Sequence, residues 1–204
     1  MAISMGPSHL EALERSLPSE KTHSFDPFES RLCRNVRNGL GQALLAALPD
    51  GDLPAVLDRA RAVVPAGADS AVRRYVATRI EKYRVLFNAL PAAGQPATDE
   101  WTIAQYLWDQ ALFFECHEWL EGVWRQREGA TQKMVQALIW AAGAYSHLEY
   151  SRIEAAAKLA ARAVRALAQY RAQVPAQFDA DILIDKLADL DPEPPQFGHV
   201  RQSL

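Results

Sequence analysis

Phe113-Phe114-Glu115-Cys116-His117-Glu118-Trp119-Leu120-Glu121-Gly122-Val123-Trp124 is the stretch that decides the fold. Wound at about 100° per residue, it places Phe113, His117, Leu120, Glu121 and Trp124 on one face, with Phe114 and Glu118 at the margin. An imidazole and a carboxylate are thus set among aromatic rings. An unpaired charge is costly to bury, so His117 and Glu121, one turn apart, are expected to pair with each other or with a third group. Trp119 falls nearly opposite His117, on the back of the same helix with Leu112. That side is expected to meet other helices of the chain or to form a subunit contact.

Downstream, Gly129 fits the end of a helix that contains residues 110–128. The next helix, from about Thr131 to Tyr150, is apolar on almost every side, as a central buried element should be. Gln136, Trp140, Gly143 and His147 form one stripe on it. The connection around Gly129 to Thr131 is short, so the two helices are expected to pack antiparallel, with His147 facing the half of the first helix that holds His117. Ser151-Arg152-Ile153-Glu154 matches a capping box and opens an Ala-rich helix to about Arg171. Asp179 to Leu190 reads as a last short helix, and the prolines at 192, 194 and 195 lead into a tail expected to be loose over 191–204.

Upstream, Asp26-Pro27-Phe28-Glu29 supplies a cap, a first-turn proline and an acid for a helix from about Pro27 to Leu48. Leu53 to Val64 follows as a shorter helix, and from Ser70 to Leu90 the residues Val72, Val76, Ile80, Tyr83, Phe87 and Leu90 make an apolar stripe. Arg73, Arg74, Lys82 and Arg84 spread around the remainder, as on a solvated face. Pro91 to Ala97 is the clearest linker. It separates an N-terminal helical extension, 1–95, from a helical core, 96–190. Strand-like alternation is hard to find, so the fold class is all-α: a compact array of about seven to eight helices around an antiparallel central pair.

The 204 residues, 49% of them hydrophobic, suffice for a substantial core. A net charge of −3 gives no general reason to bind nucleic acid or an anionic membrane. No apolar run is long enough to span a bilayer and the first residues lack a signal-peptide pattern, so a cytoplasmic location is expected. Cys33 and Cys116 form no C-x-x-C pair and suggest no disulfide framework. Cys116 adjoins His117, but neighbours on a helix diverge by about 100°, so a packed, inert thiol is expected rather than a nucleophile. The Ala-rich helix carries Arg152, Lys158, Arg162, Arg165 and Arg171 against Glu154. That set could bind an anion, although a solvated face with a Glu154–Lys158 pair is the simpler reading.

Two chemistries fit the cluster His117, Glu118, Glu121, Gln136 and His147, with Trp124 and Trp140 beside it. In one, His117, Glu121 and His147 ligate a divalent transition metal such as zinc, and Glu118 acts as base on bound water. In the other, the same residues are a buried hydrogen-bond network that fixes helix register. The zincin pattern H-E-x-x-H is absent because the position four after His117 is Glu121. Glu20 to His23 gives the single E-x-x-H match to a ferritin-like di-metal pattern, in a polar stretch where it reads as accidental.

The run 113–124 also resembles the signature of the Domain of Unknown Function 309 family, approximately Y-F-E-A-H-E-x-L-E-x-x-W. Gln136-Ala137-Leu138-Ile139-Trp140-Ala141-Ala142-Gly143-Ala144-Tyr145-Ser146-His147-Leu148 is similar to the family's second block, Q-G-L-I-Q-x-A-x-A-x-x-H-L. The resemblance covers about residues 105–190. It departs at Cys116, where the family favours Ala, and at Trp140, where Gln is usual and where one polar group is therefore lost from the cluster. A compact helical fold with short loops is what it implies; no activity comes with it. The expectation is therefore a non-catalytic binding or interaction protein, possible as a homodimer through the Leu112 and Trp119 face, with a metal-dependent hydrolase of a small molecule as the alternative.

Overall fold

Side-chain oxygens set the starts of five helices. Ser30, Asp52, Asp69, Asp99 and Asp179 each accept a hydrogen bond from a backbone N–H in the first turn that follows, which satisfies donors a helix cannot satisfy itself. In the computed structural model, residues 24–90 and 99–198 are described. They form α1 (Arg31–Ala47), α2 (Leu53–Val63), α3 (Ser70–Ala89), α4 (Glu100–Asp109), α5 (Phe113–Trp124), α6 (Gly129–Leu148), α7 (Ile153–Gln169), a 3-10 turn (Arg171–Gln173) and α8 (Ala180–Ala188). Eight α-helices and no strand are present among the described residues, as an all-α array requires. The linker at 91–97 and the Glu20–His23 pair lie outside them.

The centre is α6, whose Met134, Ala137, Leu138, Ala141, Ala142 and Ala144 are fully buried. It packs against α5 on one side and α7 on the other. The α5–α6 pair is antiparallel: His117 stands beside the Ile139 carbonyl, and the Gln132 side chain donates to the Trp124 carbonyl one loop away. Gly143 permits the approach, since a Cβ there would lie 3.1 Å from Leu159 Cδ1 and 3.7 Å from His117 Nδ1. Gly41 does the same for α1 on α5, where a Cβ would meet the Phe114 ring at 2.9 Å.

Several boundaries differ from the sequence reading, and three of them share a reason. The helix expected across 110–128 is shorter: α5 covers 113–124, and a break at Gln110 to Leu112 separates it from α4. Ala111 takes φ 49°, its N–H reaches the Trp108 carbonyl and that of Leu112 reaches Leu107. This is the Schellman closure, which usually places glycine at the left-handed position. Ser151, φ 55°, closes α6 in the same way, so the expected capping box of Ser151 and Glu154 is not formed and α7 begins without a side-chain cap. Leu190, φ 50°, closes α8. Gly129, expected to end a helix, instead opens α6. At the other end of the chain, Asp26 accepts from Phe28 and Glu29 N–H groups in a turn, and Ser30 is the cap of α1. Arg34 holds that turn by donating to the Pro27 and Phe28 carbonyls.

The tail expected to be loose is docked over 191–198. Trp108 Nε1–H donates to the Pro195 carbonyl at 2.8 Å, and the Asp109 carboxylate accepts from the N–H groups of Phe197 and Gly198. Phe197 packs on Phe178 and Trp108, so burial of an aromatic ring outweighs the three prolines nearby. The Leu112 and Trp119 face is likewise taken up inside the chain: Leu112 is fully buried, and Trp119, half-buried, donates its indole N–H to the Glu100 carbonyl. Leu112 and the Trp119 indole N–H thus both have partners inside the chain. No helix among the described residues is long and apolar enough to cross a membrane.

Candidate functional site

One turn of α5 sends its polar groups in two directions. Glu115 points toward the N-terminal helices and is fully buried. His117 and Glu121 lie on the other side and Glu118 between, each partly exposed.

Toward the N-terminal helices, Glu115 Oε1 accepts a 2.7 Å hydrogen bond from the Tyr83 hydroxyl, while Oε2 stands 3.7 Å from Arg79. Arg79 is 4% exposed and also donates to the Ala111 carbonyl and to Glu149 at 3.3 Å. Burial pulls its pKa down, but Glu115, Tyr75 and Glu149 more than compensate and hold the guanidinium firmly charged. Burial, reinforced by Glu115, pushes the Tyr83 hydroxyl well above its ordinary value, so it stays a donor. Lys82 gives the Ala111 carbonyl a second cation. Sequence reasoning missed this cluster, placing Lys82 among solvated residues and Tyr83 on a purely apolar stripe. The signal was available: Val72, Val76, Arg79, Tyr83 and Leu86 are the buried line of α3, and an arginine within such a line calls for an internal carboxylate.

On the other side, His117 Nε2 lies 3.3 Å from Glu121 Oε1, and Nδ1 lies 3.3 Å from the Ile139 carbonyl. A neutral ring with its proton on Nδ1 would donate to that carbonyl, whereas the Glu121 contact favours a proton on Nε2; a protonated ring serves both. Glu121 also accepts from Arg125 at 3.2 Å. The expected partnership of His117 with Glu121 is therefore present, half-open to solvent at 31% and 38% exposure rather than deeply buried.

His147 does not join them as a third ligand. Its ring is stacked on Phe28 with centroids 4.4 Å apart, and Nδ1 is buried without a hydrogen-bond partner. Phe28 is gripped in turn by Arg152, 4.9 Å from its centroid, by Arg37 at 5.5 Å and by the edge of Tyr150. Arg37 also lies 4.0 Å over the Phe114 ring, and Arg152 pairs with Glu29 at 2.8 Å. Burial first, then Arg152, Arg37 and His117, hold the His147 imidazole below its ordinary range. Glu118 acts on the same Arg37, whose pKa burial lowers against the pull of Tyr75, Tyr150, Glu115 and Glu118. Among the described residues, no three or more His, Cys, Asp or Glu side chains are gathered as a metal ion would need.

The supporting residues separate as well. Trp124 is half-buried at the end of α5, while Gln136 and Trp140 line a groove between α6 and α7 with basic residues of α7. The expected Glu154–Lys158 ion pair is not among those formed by the described residues. Cys116 is fully buried, its thiol aimed at the Ala104 carbonyl at 3.5 Å and pushed far up in pKa by burial, so it is no ready nucleophile.

No curated protein and no solved structure matches the chain. A family model does, over residues 101–159, and that span contains both blocks of the sequence signature, the whole of α5 and α6 and the first turns of α7. The helix pair that carries Glu115, His117, Glu121 and His147 thus belongs to the family described as Domain of unknown function (DUF309).

Proposed function

We propose that the chain is a non-catalytic binding or interaction protein, and that the polar residues of its central helix pair serve as a scaffold. The observation that carries this reading is that Glu115, His117 and Glu121 already have polar partners of their own, while the His147 ring is taken up in a stack on Phe28. Glu115 is held by Arg79 and Tyr83, His117 by Glu121 and the Ile139 carbonyl, Glu121 by Arg125, and His147 by Phe28. A hydrolytic metal centre needs convergent ligands and one open position. With His117, Glu121 and His147 as ligands and Glu118 as base, it would require His147 to leave Phe28. It would also place a divalent cation beside the positive charges of Arg37 and Arg152, which already disfavour the protonated His147. The residues present do not fit that ion well.

Elemental analysis of the purified protein, with thermal melts in the presence and absence of chelator, tests the proposal. Sub-stoichiometric metal and an unchanged midpoint are expected. Stoichiometric metal that disappears in both His117→Ala and His147→Ala would overturn it. In that event Glu118→Gln should keep the metal and lose hydrolysis, because it removes only the base.

A further inference from the structure

The groove between α6 and α7 encloses about 560 Å³, within the usual range of small-molecule sites. Three cations, Lys133 from α6 and Arg162 and Arg165 from α7, converge on it, and all three are exposed at its rim. Arg162 and Arg165 stand one turn apart on a single helix, where like charges repel unless something neutralises them. No carboxylate among the described residues forms an ion pair with any of the three. Two other grooves of the chain differ. One between α1 and α2 carries Arg59 together with Asp50 and Asp52, and in another Arg61 is paired to Asp58 while Arg73 donates to the Ala66 and Ala68 carbonyls.

Two half-buried aromatic residues, Trp140 and Tyr170, share the α6–α7 groove with the cations, and Gln136 adds an amide that both donates and accepts. Guanidinium groups bind phosphate oxygens through paired N–H donors, and aromatic faces take up a planar ring. A cationic rim beside ring faces and an amide edge is the chemistry that recognises a phosphate and a heterocyclic base on one small molecule. We infer that this groove is a binding site for a nucleoside phosphate. The inference rests on reading the chain as a binding protein, and it assigns the ligand to the groove between α6 and α7.

Calorimetric titration at low ionic strength with adenosine 5′-diphosphate, adenosine and inorganic phosphate tests it. Saturable binding of the diphosphate is expected, tighter than either fragment alone. The double substitution Arg162→Gln and Arg165→Gln should weaken it by about tenfold or more, while Arg31→Gln with Arg74→Gln, an equal change of charge on exposed residues elsewhere, should not. Trp140→Leu should weaken the diphosphate more than inorganic phosphate. Absence of saturation, equal loss in the control pair, or preference for a single-stranded oligonucleotide would overturn the site. Recovering the diphosphate after incubation separates the two proposals: its hydrolysis, lost in the Arg162 and Arg165 variant, would support the groove and end the non-catalytic reading. Failure to bind would end the groove and leave that reading standing.

Discussion

Glu115 and Glu121 sit six positions apart on one helix, each beside a cationic or cationisable partner, yet they do different work. The Glu115 pair is sealed. Arg79 reaches it from α3, Tyr83 adds a hydrogen bond, and neither charge sees water. The Glu121 pair is local to α5, one turn long and more than a third exposed at its carboxylate. A buried ion pair is dangerous to break because the surviving charge keeps its desolvation cost without its partner, whereas an exposed survivor is simply rehydrated. The difference shows that the polar motif of α5 has an architectural half and a half-open half, divided by the direction each side chain leaves the helix.

The largest effect should follow from removing one sealed charge. Glu115→Ala is expected to cost about 3–5 kcal/mol in denaturant unfolding, because it leaves buried Arg79 with only the partly exposed Glu149 as counter-charge and the Tyr83 hydroxyl without its acceptor. Adding Arg79→Met should recover part of that loss, and a double-mutant cycle with no coupling would break the contrast drawn above. A smaller cost, about 1–2 kcal/mol, is expected for Asp109→Ala, which releases the Phe197 and Gly198 N–H groups. Limited proteolysis should then cut within 191–198, and resistance equal to the parent chain would show that ring packing alone holds the segment.

His147 gives a pH signature. Its imidazole is held below the ordinary range in the folded chain, so the unfolded chain takes up the proton first. Stability is therefore full at neutral pH and falls as the pH drops below about 6.5, until the folded ring is protonated too. The difference in melting temperature between parent and His147→Gln should shrink across that window; a constant difference would remove the role given to Arg37 and Arg152. Smallest of all, Glu121→Gln should shift stability by less than about 1 kcal/mol, since solvent screens the exposed pair. A larger loss would mean that the two halves of the motif are less unlike than their exposure indicates.

Much of the fold was legible because helix periodicity and caps are local. The buried character of α6, the antiparallel α5–α6 pair and the His117–Glu121 spacing all follow from residues within a few turns of one another, whereas on α3 the buried line passes through Arg79 and Leu86 rather than the expected Ile80 and Phe87. The stops were less legible. Ala111, Ser151 and Leu190 take left-handed backbone at roughly 1–2 kcal/mol each, and nothing in their side chains announces it. At Ala111 the return is distant: the carbonyl exposed by the break receives Arg79 and Lys82, some thirty positions earlier. Phe28 was read as part of a helix start and is a ring that covers His147, a contact across 119 positions that no local pattern encodes. Asp109 and Trp108 were similarly silent about the tail they hold.

The Arg79–Glu115 contact also bears on how this domain can be inherited. Its carboxylate lies within the span shared with the family, while the guanidinium and the phenol that make it tolerable lie before that span, on α3. A gene fusion or recombination that moved residues 101–159 alone would carry away an acid without its base. To persist, such a transplant would need a new cation supplied by its host, or a neutral residue at position 115.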